Sequence, residues 1–160
     1  MSEYVLAHDY WSEPHLAKKS ELFLRSSVRA IVIKDNRILL VTAKRHKPKF
    51  EFPGGGVDNG ETEEQALVRE VREETGLNIV SKPVKVLDYE NYYYHTKDDT
   101  GWDSHLAYYT ADVDGEIVVD DPDDDVAMVE WVDLPLEYNK MKDTDALVLA
   151  KLNSNYIIYS

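Results

Sequence analysis

A short segment, residues 55–77, constrains the fold of this chain more than any other part of it. The segment reads GGVDNGETEEQALVREVREETGL, a glycine-rich turn followed by a stretch with helical periodicity. Thr62 and Gln65 have the spacing of a capping box, in which a hydroxyl and an amide satisfy the first free N–H groups of a helix. Gly76 is placed to end that helix. The segment therefore predicts one turn and one helix, with both helix ends encoded locally.

Three glutamates, Glu70, Glu73 and Glu74, fall within one arc of this helix, because residues three and four apart are neighbours on a helical surface. The arc borders an apolar stripe formed by Leu67 and Val71, so we expect the carboxylates at the edge of the buried face, where a cleft can form. Like charges this close repel each other and need a compensating cation. Oxygen ligands are those that Mg²⁺ and Mn²⁺ prefer. The helix therefore predicts a divalent-metal site.

The glycine run Gly54, Gly55 and Gly56 supplies the second half of this prediction. Glycine adopts positive φ and lets the backbone approach a ligand closely, so that carbonyls can coordinate a metal and N–H groups can face a phosphate. A phosphate in an otherwise negative site needs a divalent cation as a bridge. Arg69 lies beside Glu70 in sequence, about 100° further around the helix, from where it can orient a carboxylate. Turn, carboxylates and cation together indicate phosphate chemistry.

The composition excludes several other classes of function. The chain has 160 residues and no Cys, which rules out disulfides, thiol nucleophiles and Cys-ligated zinc. Its length suits one domain with a hydrophobic core. A formal net charge of -13 disfavours nucleic acid and anionic membranes as partners. Residues 1–15 lack the apolar region of a signal peptide, and no apolar stretch approaches the ~20 residues that span a bilayer, so we expect a cytoplasmic protein.

The remaining patterns indicate strands and a second helix. Residues 27–33 and 37–43 are β-branched and aliphatic runs separated by a turn-like triplet, so they predict a hairpin. The acidic run 120–125, which contains a proline, predicts a loop. Residues 1–24 mix aromatic and charged side chains without a clear period, and we interpret them as an extension or an edge element. Three further strands and a C-terminal helix are predicted at residues 84–94, 105–113, 127–132 and 143–152.

The spacing of residues in the segment 55–77 resembles the signature of a known family. The order Gly, five residues, Glu, seven residues, Arg-Glu, aliphatic, any, Glu-Glu, any, Gly, aliphatic matches every fixed position of the Nudix box of the Nudix (MutT-like) hydrolases. Residues 51–54 also resemble the approach to that box. The resemblance extends over a single domain at 25–160 and leaves 1–24 outside as an N-terminal extension. The matching positions are Gly55, Glu61, Arg69, Glu70, Val71, Glu73, Glu74, Gly76 and Leu77.

The resemblance implies both a fold and a reaction. The fold is of the α/β (α+β) class, an α/β/α sandwich in which a loop–helix–loop motif packs on a mixed β-sheet. The reaction is the cleavage of a nucleoside diphosphate linked to another moiety X, by attack of water on phosphorus, with Mg²⁺ or Mn²⁺ as cofactor. The implied partner is a small-molecule nucleotide. Because family members are often dimers, a homodimer also stays open.

The resemblance also implies a set of metal ligands. Glu73 and Glu74 would hold the metal together with Glu70, and the carbonyl of Gly54 would assist them. Some family members add a carboxylate from a loop before the late strand. Asp125 is the candidate here, in competition with the two aspartates before it and with the alternative that this acidic loop is simply solvated.

Other roles carry over in the same way. Glu70 or a neighbour would accept a proton from the attacking water. Arg69 would orient a catalytic glutamate, and Glu61 would brace the loop. Gly55 and Gly76 are structural positions of the box.

Candidates for substrate binding lie outside the box. Arg45 and Lys47 belong to a basic loop that either contacts substrate phosphates or is only solvated. Tyr93 lies where some family members that cleave dinucleoside polyphosphates place a tyrosine, although tyrosines in a strand commonly serve sheet packing. We also consider His95 and His105 as side chains lining the cleft and Trp102 as a ring that stacks on a base.

The activity expected from these observations is the removal or recycling of nucleotides through cleavage of a pyrophosphate bond. A nucleoside triphosphate, or its oxidised form, is the favoured substrate. The alternatives are ADP-ribose, a dinucleoside polyphosphate, or a role as a regulator that binds nucleotides without turnover. Loss of box carboxylates would favour a regulator, and none is lost in this sequence.

Overall fold

The computed structural model describes residues 2–44, 49–119 and 122–155, with side chains to residue 153. Arg45 and Lys47 therefore lie outside the described residues. None of the described helices is both long and apolar enough to cross a bilayer. The elements, in chain order, are β1 Tyr4–His8, β2 Pro14–Lys18, β3 Phe23–Ile31, β4 Ile33–Lys34, β5 Arg37–Ala43, β6 Phe50–Glu51, β7 Gly54–Gly56, α1 Glu63–Thr75, β8 Asn78–Ile79, β9 Val84–His95, β10 Thr100–Thr110, β11 Val113–Asp114, β12 Val126–Asp133 and α2 Asp143–Asn155.

The described strands form three sheets. The largest has six strands in the order β2-β1-β9-β10-β3-β7, and the second joins β12, β5 and β4, with β6 paired to β5. Strands β11 and β8 form a separate pair. In the six-stranded sheet β10 runs antiparallel to β9 and parallel to β3, so this sheet is mixed.

The two helices cover separate hydrophobic cores. Leu67 and Val71 of α1 share one core with Val28 of β3. Leu149 of α2 belongs to a second core, together with Tyr108 of β10. Full burial of a large apolar side chain stabilises a fold by about 1.5–3 kcal/mol, so each core fixes the sheet to its own helix. These two cores confirm the predicted α/β/α sandwich.

The ends of α1 confirm the local prediction. The Thr62 hydroxyl accepts a hydrogen bond from the Gln65 backbone N–H at 3.1 Å, and the Gln65 side chain accepts one from the Thr62 N–H at 2.9 Å. Gly76 follows the last turn with a φ of 78°, and its N–H donates to the carbonyl of Arg72 at 2.9 Å. Because both caps form within the segment, the start and end of the helix do not depend on distant parts of the chain.

The predicted hairpin forms, but its first strand is divided between two sheets. Asp35 and Asn36 have φ of 51° and 57°, the positive values of the tight turns that match the twist of paired strands. Strand β3 ends at Ile31, and the chain enters the other sheet at Ile33 as β4. The aliphatic run over 27–33 continues across this change because both sheets bury it.

Two other predicted elements differ in extent. Strand β10 begins at Thr100 rather than at His105, because the polar residues before His105 pair with the far end of β9, where Gly101 faces Tyr94. The C-terminal helix extends to Asn155, three residues beyond the predicted end. The earlier start of β10 is the more important difference, because it places Trp102 within the sheet.

Residues near the N-terminus pair at one edge of the large sheet. Strands β1 and β2 are antiparallel partners, and β1 joins the sheet where His8 pairs with Tyr93 of β9. Tyr10, in the turn between β1 and β2, is buried. This edge pairing brings an N-terminal side chain close to the end of β9.

Replacing Gly76 by Ala should destabilise the fold more than replacing Gly60 by Ala. Both glycines have positive φ, 78° and 82°, so each substitution introduces backbone strain of about 1 kcal/mol. Only at Gly76 would the new Cβ meet backbone, 2.3 Å from the carbonyl oxygen of Val118, whereas nothing lies within 4 Å at Gly60. Urea unfolding of both variants measures the difference. Equal losses in the free energy of unfolding would contradict this assignment.

Candidate active site

The predicted glycine turn is β7, which pairs antiparallel with β3. Gly54 has a φ of 151°, and a Cβ on it would lie 2.0 Å from the carbonyl oxygen of Val28. A Cβ on Gly55 would lie 2.5 Å from the carboxyl carbon of Glu70. The two glycines therefore let the turn press against β3 on one side and against a glutamate of α1 on the other.

Glu74 connects α1 to this turn. Its carboxylate accepts a hydrogen bond from the Gly54 N–H at 2.8 Å. Burial raises the pKa of Glu74 well above its ordinary value, and the nearby charges of Glu70 and Glu51 add to this effect. Arg29 and the Gly54 N–H act in the opposite direction without reversing it. The surroundings of Glu74 thus favour either a proton or a cation on this carboxylate.

Arg69 organises the other carboxylates of the motif. Its guanidinium makes two hydrogen bonds to Glu61, at 2.7 and 2.9 Å, which is a bidentate pair. The same group donates to Glu70 at 2.7 Å and to Glu73 at 3.3 Å. A further bond, 3.0 Å long, reaches the carbonyl of Gly56. Arg69 therefore fixes two of the predicted metal ligands and the glycine turn relative to the loop.

The pKa values of two carboxylates that bind Arg69 shift in opposite directions. The hydrogen bond from Arg69 lowers the pKa of Glu61 to about 2, assisted by a bond from the Asp58 N–H. Burial raises the pKa of Glu70, and the nearby charge of Glu73 adds to it, although Arg69 opposes the shift. Glu61 is therefore suited to a permanent ion pair, and Glu70 to a group that exchanges protons or ligands.

A cleft of about 870 Å³ opens beside the turn and α1. It collects most of the residues predicted for the site. Glu73 contacts the cleft residue Arg69 without lining the cleft itself, whereas Glu61 and Gly76 support the motif from the loop and from the helix end. The predicted residues that line the cleft are Gly54, Gly55, Arg69, Glu70, Glu74, Tyr93, His95, Trp102 and Asp125.

The acidic loop before β12 reaches the cleft. Asp125 and Asp123 both line the cleft. The carbonyl of Asp125 accepts a hydrogen bond from the Lys44 N–H at 2.7 Å, which holds the loop to the end of β5. Asp124 turns away and pairs with the Lys44 ammonium. The structure therefore leaves two of the three candidate aspartates at the cleft.

The structure does not bring His105 to the cleft. Its strand neighbours Ala107 and Tyr109, which share its side of the sheet, belong to the core under α1. His105 bonds to Asp88 at 3.0 Å, and one ligand atom each from His105, Asp88 and Glu63 lie within 4.8 Å of one another. Lys85 already pairs with both carboxylates of this group, with its ammonium 2.7 Å from Glu63 and 3.2 Å from Asp88.

Sequence reasoning missed two arginines that line the cleft, Arg25 and Arg29 of β3. The two arginines are four residues apart, so they project on the same side of β3, and this even spacing is the signal that a cationic face was present. Burial works against the charge of Arg29, but Asp145, Glu51 and Glu74 together raise its pKa. Arg29 thus supplies a positive charge at the floor of an acidic cleft.

A buried aspartate of α2 was also missed. Asp145 accepts hydrogen bonds from the Phe52 N–H at 2.9 Å and from the Tyr108 hydroxyl at 2.8 Å. It therefore ties the second helix to the strand that leads into the glycine turn. Nearby, Lys142 forms an ion pair with Glu51 at 3.3 Å. No local pattern in the sequence indicates these contacts, because Asp145 is 93 residues from Phe52 and 37 residues from Tyr108.

The mixed sheet, its two helix layers and the acidic cleft define a class, the α/β/α sandwiches whose glutamate helix is held against a glycine turn. Within that class the chain belongs to the NUDIX domain family, which matches residues 23–152. A MutT NUDIX hydrolase from Burkholderia pseudomallei superposes with a TM-score of 0.64 at 26% identity, over 81% of this chain and 98% of that one. The family predicted from the box is therefore confirmed.

Curated relatives are similar over shorter segments. An ADP-ribose pyrophosphatase of Methanocaldococcus jannaschii is 50% identical over 64 residues, 38% of each chain. A Bacillus subtilis protein, provisionally named 8-oxo-dGTP diphosphatase, is 44% identical over 48 residues, 30% of this chain and 32% of its own. An RNA pyrophosphohydrolase of Vibrio vulnificus (strain YJ016) is 47% identical over 58 residues, 36% of this chain and 33% of its own. The chain thus spans about a third of these relatives.

Replacing Glu61 by Gln should reduce the loss in the free energy of unfolding that occurs as the pH falls. Because the pKa of Glu61 is about 2 in the folded chain, its ionised form stabilises the fold above its unfolded value of 4.5, and this contribution is lost as the pH falls through about 2. Urea unfolding between about pH 4.5 and pH 2 should show a steeper loss in the wild type than in Glu61→Gln. Glu64→Gln, which alters an exposed carboxylate of α1, should follow the wild type. Equal slopes for all three proteins would contradict the role of the Glu61–Arg69 pair.

Proposed function

We propose that this protein is a Mg²⁺- or Mn²⁺-dependent hydrolase that cleaves the pyrophosphate bond of a nucleoside diphosphate linked to a moiety X. One observation carries the proposal. The carboxylates of Glu70 and Glu74 converge with the backbone of Gly54 and Gly55 at one end of a large cleft. Water, a divalent cation and a diphosphate are the reactants that such a surface suits.

The residues of the cleft fit a divalent cation. Burial raises the pKa of both Glu70 and Glu74, so a bound cation would stabilise their ionised forms. All the donors are oxygens, as Mg²⁺ and Mn²⁺ prefer. We assign the ligands to Glu70, Glu74 and the carbonyl of Gly54, with Asp125 from the acidic loop and with Glu73, which lies beside the cleft in contact with Arg69. When bound, the cation supplies charge neutralisation and activation of water.

Residues of the chain accept the proton of the attacking water and orient the group that accepts it. Water attacks phosphorus, the P–O bond to the leaving phosphate breaks, and the proton passes to Glu70. Arg69 holds Glu70 through a 2.7 Å bond while Glu61 holds Arg69, so the accepting oxygen keeps one orientation. Arg29 faces the same cleft and attracts the phosphates.

A nucleoside triphosphate, or its oxidised form, is the substrate we favour, with ADP-ribose or a dinucleoside polyphosphate as the alternative. The names of the relatives support this range, since they include an 8-oxo-dGTP diphosphatase, an ADP-ribose pyrophosphatase and an RNA pyrophosphohydrolase. A net charge of -13 counts against a long polynucleotide. We assign turnover to residues 25–160 and regard 1–24 as an extension of that domain. A regulator without turnover is disfavoured because every box carboxylate is retained.

A panel of nucleotides incubated with Mg²⁺ in ¹⁸O-labelled water tests the reaction. The panel contains canonical and oxidised nucleoside triphosphates, ADP-ribose, a dinucleoside polyphosphate and a short RNA with a 5′-triphosphate. We expect one class of small nucleotide to be hydrolysed, with one ¹⁸O atom in a single phosphate product that identifies the attacked phosphorus. Absence of hydrolysis across the panel, with either Mg²⁺ or Mn²⁺, would overturn the proposal.

Glu73→Gln and Glu74→Gln should each remove most turnover and leave the fold intact. Loss of one charged ligand weakens metal binding and positioning, for which a fall in kcat of about 10²–10³-fold is expected. Steady-state kinetics at saturating Mg²⁺ measure the effect, and circular dichroism checks the fold. Glu64→Gln, outside the cleft, is the matched control. A rate close to that of wild type in Glu74→Gln would contradict the assignment.

Glu74→Gln should stabilise the metal-free protein and weaken its response to Mg²⁺. Because burial disfavours the ionised form of Glu74, its neutral replacement should raise the metal-free free energy of unfolding above neutral pH, where the wild-type carboxyl must ionise. Mg²⁺ stabilises whichever protein binds it, so the wild type should gain in Tm on addition of Mg²⁺ and the variant should gain less. Thermal unfolding with EDTA and with Mg²⁺ measures both effects. An unstabilised metal-free variant with a full Mg²⁺ response would contradict this role.

A further inference from the structure

Three aromatic rings line the end of the cleft beyond the glycine turn. Tyr93 and His95 come from β9 and Trp102 from β10, and all three border the same cleft as Glu70 and Glu74. The rings of His95 and Trp102 are stacked, 4.5 Å apart and 10° from parallel, and the Tyr93 ring lies 5.7 Å from Trp102. We call these three side chains the aromatic shelf.

The sheet register explains why the shelf faces the cleft. Trp102 pairs directly with Tyr93 across β9 and β10, and directly opposed residues of two strands project on the same side. On the other flank of β10, Arg25 of β3 pairs with Ser104, two residues beyond Trp102, so Arg25 projects on that side as well. Alternation along three strands thus assembles one cationic and aromatic surface.

Arg25 links the shelf to the glycine turn. Its guanidinium carbon lies 5.6 Å from the centre of the Trp102 ring. A Cβ on Gly56 would lie only 1.9 Å from a terminal nitrogen of Arg25, although Gly56 does not have the positive φ of Gly54. The third glycine of the run therefore leaves space for Arg25 between the turn and the shelf. A side chain at this position would push the flexible end of the arginine aside.

The charge of Arg25 is available to a ligand. Across the described ranges, no carboxylate lies within 4.0 Å of its guanidinium nitrogens, even though the chain carries a net charge of -13. A guanidinium in this setting is a receptor for phosphate, and aromatic faces are receptors for planar rings. A ligand with a diphosphate next to a planar aromatic group suits all three parts of this surface. Its diphosphate would lie at the acidic end and at the arginine, and its planar group would lie on the shelf.

We propose that the aromatic shelf binds the base of a nucleotide and that Arg25 binds the phosphate nearest the nucleoside. This inference rests on the proposed function and deepens it, because it assigns the base and the nearest phosphate of the substrate to named side chains of this chain. Arg25 and Trp102 are specificity-determining residues of that site. Each contacts the substrate on the side away from the metal ligands.

Calorimetric binding with two kinds of non-hydrolysable ligand in Mg²⁺ buffer tests the inference. The first kind is a nucleotide, α,β-methylene-ADP or its guanosine counterpart, and the second is methylenediphosphonate, which has no base. Trp102→Ala should weaken nucleotide binding by about 5- to 150-fold, the range for loss of one stacked base, and should leave methylenediphosphonate unchanged. Arg25→Gln should weaken nucleotide binding by about 10-fold or more.

Matched variants control for indirect effects. Tyr92→Ala changes the exposed ring next to Tyr93 on the opposite side of β9, and Arg37→Gln removes an exposed cation outside the cleft. Both should bind like the wild type. Trp102→Phe preserves a packed ring and should retain part of the affinity, so it covers the case in which Trp102→Ala does not fold, as checked by thermal unfolding.

A double-mutant cycle tests the contact between Arg25 and Gly56. Gly56→Ala should reproduce the loss seen in Arg25→Gln, and it should add little in the Arg25→Gln background, because the arginine it displaces is already gone. Additive losses would overturn that part of the inference.

The outcomes separate this inference from the proposed function. Trp102 variants that bind both ligands like the wild type, or that lose the same factor for both, would overturn the shelf assignment while leaving the effect of Glu74→Gln on turnover intact. A wild type that binds methylenediphosphonate as tightly as the nucleotides would also overturn it. Failure of the nucleotide panel with ¹⁸O-water would instead remove the proposed function on which it rests.

Discussion

The close packing of glutamate side chains of α1 against the backbone of a glycine turn is the constraint on which the rest of the site depends. Glu70 approaches Gly55 so closely that a methyl group there would overlap its carboxylate, and Glu74 accepts the N–H of Gly54. Both carboxylates have raised pKa values because burial removes water from them. The fold holds this unfavourable arrangement through the Glu61–Arg69 pair on the loop side.

Such an arrangement suits the binding of a cation but lowers the stability of the metal-free fold. Partly buried carboxylates with insufficient positive charge around them weaken the folded state, whereas a bound cation reverses the effect. The arginine at the floor, Arg29, offsets only part of this negative charge. Asp145 makes a separate contribution, since it fixes the backbone of Phe52 just before the turn. The position of the turn thus depends on both helix layers.

Sequence reasoning succeeded where the structure is determined locally. The caps of α1 lie within one segment, so Thr62 and Gly76 set the helix bounds without help from distant residues. It was less informative where the strand register determines which side chains face the cleft. The sheet is covered on both sides, so alternation in β10 does not reveal which face meets the cleft, and His105 was expected on the face that Trp102 occupies. Arg25 required knowledge of a pairing across nearly 80 residues.

Electron paramagnetic resonance of bound Mn²⁺ in the presence of methylenediphosphonate tests the central claim most directly, because it reports on ion, ligands and phosphorus in one sample. The account predicts a bound ion with hyperfine coupling to ³¹P in the wild type, and loss of that ion when Glu70 and Glu74 are both changed to Gln. An ion that binds equally well to the double variant, or that shows no coupling to phosphorus, would contradict the claim that these glutamates and the glycine turn hold a cation against a diphosphate.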